Sequence, residues 1–164
     1  MAELTKLESK LAEVLGLAQA AKGATQTVKG MLEDGQDEIA ERLDRMGEEA
    51  QETADRCEQV AGTFEGKKTA ILDEARTVKQ DATEMMKTYL EGEDEALDGF
   101  EFLTMAVAGE VGHWAILRTL NEKAANGEVA SLTEWALPIQ ERHFETVKST
   151  ALEIASEEDP EETE

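Results

Sequence analysis

The sequence predicts an all-α protein of 164 residues, and three observations support this. Apolar residues recur at alternating spacings of three and four over long stretches, a pattern typical of helices that pack along one face. Glutamate, a good helix former, supplies most of the 38 acidic residues. Proline occurs only at positions 138 and 160, and the sequence lacks the runs of β-branched residues that are typical of strands. We therefore expect a bundle of long helices.

The first two helices are predicted at about residues 3–32 and 37–64. The first apolar stripe consists of Leu4, Leu7, Leu11, Val14, Ala18, Ala21, Thr25, Val28 and Leu32. The second consists of Ile39, Leu43, Met46, Ala50, Thr53, Cys57, Val60 and Phe64. Gly35 is predicted to be the C-terminal cap of the first helix. Because the link between the helices is short, we expect them to pack antiparallel.

Three further helices are predicted at about residues 68–90, 96–125 and 128–155. The third helix has a narrow stripe, which consists of Ile71, Ala75, Val78, Ala82, Met85 and Tyr89. The fourth and fifth helices are separated by Asn126-Gly127, a typical break between helices. We expect residues 1–156 to form one domain, and residues 157–164 to be a disordered acidic tail.

The net charge of −22 limits the partners that this chain can attract. Nucleic acids and anionic membrane surfaces carry negative charge themselves, so neither is an expected partner. No basic and apolar signal segment opens the chain, and the single cysteine cannot form an internal disulfide. We expect a cytoplasmic protein. The acid excess is explained either by solvated outer helix faces or by adaptation to high salt.

Four polar residues lie on the apolar stripes of the fourth and fifth helices. Glu110 and His113 are one turn apart, and Gln140 and His143 repeat that spacing on the next helix. If the two helices pair about a turn near residue 125, Glu110 lies level with Gln140 and about 4.5 Å from the level of His143. These side chains are therefore predicted to converge between the two helices.

The stretch AVAGEVGHWAILRTLNEKA through WALPIQERHFETVKSTALEIASEED, about residues 106–158, resembles ferritin-like stress proteins of the bacterial YciE/YciF type. The resemblance implies a ferritin-like antiparallel four-helix bundle with an extra helical segment in the crossover between its two helix pairs. It also implies a role in metal handling or stress. The implied metal ligands are Glu110, His113, Gln140 and His143, and the implied metals are Fe, Mn or Zn.

The superfamily's dinuclear site uses a glutamate on each of two helices and Glu-x-x-His on each of the other two. Here Gln140 replaces one glutamate, and the first helix offers Ala18 or Ala21 at the corresponding level. We therefore expect a reduced or lost dinuclear site and no catalysis. Three interpretations remain open: a structural polar cluster, a single metal ion held by Glu110, His113 and His143, and a site completed across a homodimer.

Two classes of function follow from these interpretations. The first is a ferritin-like protein with a metal-related or stress-related role. The second is a non-catalytic scaffold or interaction protein whose Glu/His cluster is purely structural. A homodimer is expected in both, because the third helix and the alanine-rich end of the first leave apolar surface that one chain covers poorly. No nucleophile arrangement or phosphate-binding loop is recognisable in the sequence.

Overall fold

The computed structural model describes residues 2–163; Met1 and Glu164, the last residue of the predicted tail, lie outside it. Five helices follow one another along the chain, and these described residues contain no β-strand. The helices are α1 Lys6–Lys29, α2 Asp37–Ala61, α3 Lys68–Tyr89, α4 Ala96–Ala124 and α5 Gly127–Ala155. The all-α prediction is therefore confirmed. Residues 157–163 are exposed and lie outside these helices.

Helix α1 begins three residues later than its hydrophobic pattern predicts, because Thr5 caps it. The Thr5 hydroxyl accepts a hydrogen bond from the backbone N–H of Glu8, and the Glu8 carboxylate accepts one from the backbone N–H of Thr5. This reciprocal capping box satisfies two backbone donors that the helix itself leaves unpaired. Leu4 therefore precedes the helix and packs against the core from outside it.

Polar contacts between neighbouring helices define their directions. Lys29 contacts Asp44, and Lys22 donates to Gln51, so α1 and α2 are antiparallel. Helices α4 and α5 also pack against each other as consecutive helices joined by a tight turn. Contacts of α1 with α4 and of α2 with α5 join the two pairs.

Helix α3 lies along α1 and runs in the same direction. Ser9 donates to Glu74 in the first half of both helices, and Gly16, about two turns further along α1, lies against Ala75 and Val78, which also follow Glu74 in α3. The chain therefore returns along the length of α1 before α4 begins. As a consequence, α4 runs in the same direction as α2.

The C-terminal half of α3 differs from the predicted stripe. Ile71 and Ala75 are buried as expected, but Met85 is 62% exposed and Tyr89 is 42% exposed, whereas Met86 is buried. The helix packs mainly on α1, so only a narrow part of its surface finds a neighbour. Within residues 2–163, no helix has the length and hydropathy that crossing a bilayer requires.

Candidate functional site

Glu110 is the buried carboxyl group that the sequence singled out. It lies on α4 with 5% of its surface exposed, among the apolar side chains Val107 and Trp114 on the same face. None of the described residues forms a hydrogen bond or an ion pair with it. Burial raises the pKa of Glu110 to about 8, with no neighbouring charge contributing. At neutral pH the group is therefore mostly a protonated acid.

His113 lies one turn from Glu110 but contacts α1 instead. Its Nδ1 atom is 3.2 Å from Oε1 of Glu13 and 3.3 Å from Nζ of Lys10. Lys10 and Glu13 also contact each other, so the three side chains form one cluster between α1 and α4. The ring is about one-third exposed. The structure therefore places this predicted ligand in a polar contact between two helices.

Gln140 and His143 both lie on the buried face of α5. Gln140 is 2% exposed, and its Oε1 atom has no hydrogen-bond partner within residues 2–163. The Nε2 atom of His143 is 3.6 Å from Oε2 of Glu49, which is longer than a hydrogen bond. Burial lowers the pKa of His143; the Glu49 carboxylate opposes this shift, and the Arg142 guanidinium adds to it. His143 is therefore buried chiefly in its neutral form.

Glu13 and Glu49 are the two site residues that the sequence reasoning missed. Glu49 contacts both Arg142 and His143 and so joins α2 to α5. Its position three residues after Met46 places it at the edge of the α2 stripe, which is the one available signal. Glu13 stands at a similar edge, beside Val14. The sequence contains many other glutamates, so spacing alone did not distinguish these two.

The predicted ligands do not form the donor set of a two-metal centre. Among residues 2–163, no group of three or more His, Cys, Asp or Glu side chains could hold a metal ion. Clustered carboxylates would also shift one another's pKa values, whereas the pKa of Glu110 is raised by burial alone. Leu17, Ala20 and Ala21 of α1 line the same groove as Glu110, and the one α1 carboxylate in that lining, Glu13, contacts His113 instead. The residues present therefore do not fit a dinuclear metal site.

Cys57 is fully buried on α2. Burial raises the pKa of its thiol, so the reactive thiolate is disfavoured at neutral pH. The side chain packs with Leu11, Leu15 and Trp114 in one apolar cluster. Cys57 is therefore a core residue, as its position on the α2 stripe predicted.

A groove between α1, α3 and α4 opens onto Glu110. Its volume is about 390 Å³, and its walls are mostly apolar. We call it the α1/α3/α4 groove, and its walls include Ala21, Ala24, Val78, Ala82, Met105 and Gly109. The side chains that α1 and α4 contribute here are mostly small, which leaves space between the helices. The apolar face of α3 is too narrow to fill that space.

In comparisons with known proteins, no family model, no curated protein and no solved structure matches this chain.

Proposed function

We propose that the protein is a ferritin-like helical protein whose dinuclear metal site is reduced or lost. The observation that carries this proposal is Glu110, a buried carboxyl group at a predicted ligand position whose pKa is raised by burial, without a contribution from a second carboxylate. The order and direction of the helices support the fold. A long connection that contains α3 separates two antiparallel helix pairs, as the single crossover does in ferritin-like bundles.

The proposed role in metal handling or stress rests on the resemblance of residues 106–158. Gln140 is neutral, so it cannot supply the negative charge that a glutamate ligand brings to Fe, Mn or Zn. A chain with this substitution has lost part of the charge that a two-metal centre needs. The homodimer, the cytoplasmic location and the absence of nucleic-acid partners stay predictions.

Metal analysis of protein purified without chelator tests this proposal. We expect at most one Fe, Mn or Zn per chain, and we expect His143→Ala to remove any metal that is present. Glu101→Ala, at an exposed position on α4, is the control and should leave the metal content unchanged. About two metal ions per chain, lost together in Glu110→Ala and His143→Ala, would contradict a reduced or lost site.

The second candidate function is a non-catalytic scaffold, and the two Glu–His contacts favour it. Glu13 with His113 joins α1 to α4, and Glu49 with His143 joins α2 to α5. Each contact therefore links one helix of the first pair to one helix of the second. Such contacts select a helix register without binding any ligand.

Glu49→Gln separates the structural role of this cluster from metal binding. We expect the variant to lose at most about 1 kcal/mol of unfolding free energy, because the ion pair with the mostly exposed Arg142 is removed and His143 loses its negatively charged neighbour. Urea unfolding with and without a chelator should give the same loss. The exposed neighbour Glu48→Gln is the control. A loss that occurs only in the presence of metal would reject a purely structural cluster.

A further inference from the structure

The α1/α3/α4 groove has the size and lining of a small-molecule site. Its volume of about 390 Å³ lies within the range of ligand pockets. Three methionines, Met85, Met86 and Met105, contribute to its walls. Methionine is flexible and polarisable, so such walls adapt to apolar ligands of different shapes. Met85 and Met105 are 62% and 47% exposed, so a ligand in the groove would cover apolar surface that now contacts water.

Glu110 is the buried polar group in this apolar lining. A carboxyl group without a hydrogen-bond partner is costly in the interior, and the folded chain already bears that cost. A ligand that pairs with Glu110 therefore displaces no hydrogen bond or ion pair within the chain, and most of the carboxyl group is already removed from water. This preorganised group distinguishes the groove from an ordinary exposed apolar patch.

The charges around the groove favour a cation. Glu13 and Asp81 also line it, and neither lysine nor arginine is among its described lining residues. The overall charge of −22 adds a negative potential that attracts cations and repels anions. His113, which is about one-third exposed, also borders the groove, but its ring already contacts Glu13 and Lys10. An anionic ligand such as a fatty acid is therefore disfavoured.

We propose that the α1/α3/α4 groove binds a small apolar amine, with its hydrocarbon part against the methionine and alanine side chains and its ammonium group paired with the Glu110 carboxylate. Below about pH 8, the proton of this carboxyl group passes to the solvent when the amine binds. The proposal goes beyond the ferritin-like function, since it needs neither a metal ion nor a second ligand residue. It gives Glu110 a function, whereas the packing of the chain alone does not explain why a carboxyl group is buried there.

Octylamine, with 1-octanol as its uncharged counterpart, is a suitable probe pair. Binding is followed through the methyl resonances of the methionines at pH 9, where Glu110 is mostly ionised and the amine still carries its proton. We expect octylamine to shift Met85, Met86 and Met105 saturably, and to leave Met46, which is buried on α2, unchanged. Octylamine should bind about tenfold more tightly than 1-octanol, which is the ratio expected from one favourable charged contact. Glu110→Gln should reduce this ratio to near one.

Two glycines of α4 provide a matched pair of blocking and control variants. A Cβ atom at Gly109 or at Gly112 meets no other atom within 4 Å, so both positions accept a larger side chain. Gly109 lines the groove, whereas Gly112 does not. We expect Gly109→Leu to abolish octylamine binding and Gly112→Leu to preserve it. Circular dichroism of both variants verifies that the helices form.

Several outcomes would overturn the proposal. One is equal binding of octylamine and 1-octanol to the native chain, and another is an unchanged preference for octylamine in Glu110→Gln. Equal binding by the two leucine variants would place the ligand elsewhere. If sedimentation instead shows a dimer that Gly109→Leu converts to a monomer, the groove is covered by a second copy of the chain and not by an amine.

Discussion

Replacing Glu110 with glutamine is expected to remove a large pH dependence from the stability of this protein. Burial raises the pKa of the folded carboxyl group from an ordinary value of 4.5 to about 8. Between these values the folded chain holds a proton that the unfolded chain has released. Unfolding free energy therefore falls as pH rises through this range, and it levels off above about pH 8.

The expected size of this effect follows from about 1.4 kcal/mol per pH unit for one proton. Between pH 6 and pH 8, the native chain should lose about 2 to 3 kcal/mol relative to Glu110→Gln. The two proteins should differ least below about pH 4.5, where Glu110 is protonated in both the folded and the unfolded native chain and the glutamine is a close neutral substitute. Urea unfolding at several pH values measures the difference directly.

Comparison with a second variant isolates the contribution of Glu110. Glu101→Gln removes one charge from the same helix at an exposed position, so it should retain the slope of the native chain. His143 also has a shifted pKa, but it is present in all three proteins and cancels in the comparison. A Glu110→Gln variant with the native slope would show that Glu110 is ionised in the folded protein.

Substitution of Gly16 by alanine is expected to separate α3 from α1. A Cβ atom at Gly16 would lie 2.4 Å from the carbonyl oxygen of Ala75 and 2.8 Å from Cβ of Val78. The first of these atoms belongs to the α3 backbone, so a change of rotamer cannot relieve the clash. Overpacking of this kind costs about 1 to 3 kcal/mol. Alanine's better helix propensity offsets up to about 1 kcal/mol of it.

Gly23 is the matched control on the same helix. A Cβ atom there meets nothing within 4 Å, and the residue is exposed. Gly23→Ala should therefore raise the melting temperature, by an amount that reflects about 0.5 to 1 kcal/mol of helix propensity. Gly16→Ala should lower it and should accelerate hydrogen exchange in α3. Similar melting temperatures for the two variants would show that α3 adapts to the added methyl group.

The individual helices were largely predictable because their signals are local. The apolar stripes repeat at the spacing of a helix, and good helix formers fill the positions between them. The boundary between α4 and α5 was predictable from Asn126-Gly127. Asn126 caps α5, because its side chain accepts a hydrogen bond from the backbone N–H of Val129. The start of α1 was placed too early, because Leu4 continues the apolar pattern although Thr5 is the cap.

The candidate site was predictable only in part. Glu110 was recognisable because a carboxylate interrupts an apolar stripe, and its burial agrees with that pattern. The neighbours of the two histidines were not recognisable. Glu13 lies 100 residues before His113 in the chain, and Glu49 lies 94 residues before His143. Which side chains meet across such distances depends on the rotation and register of whole helices.

The sequence by itself determined the all-α class, the five helices and the unusual position of Glu110, because propensity and periodicity act over a few residues. Only the tertiary structure decided that α3 runs along α1, that each histidine faces its own glutamate, and that Glu110 opens onto an apolar groove. Those features depend on close approach at Gly16 and on the packing of small side chains between helices. Helix packing is a sum of many weak contacts between distant segments, so no local pattern specifies it.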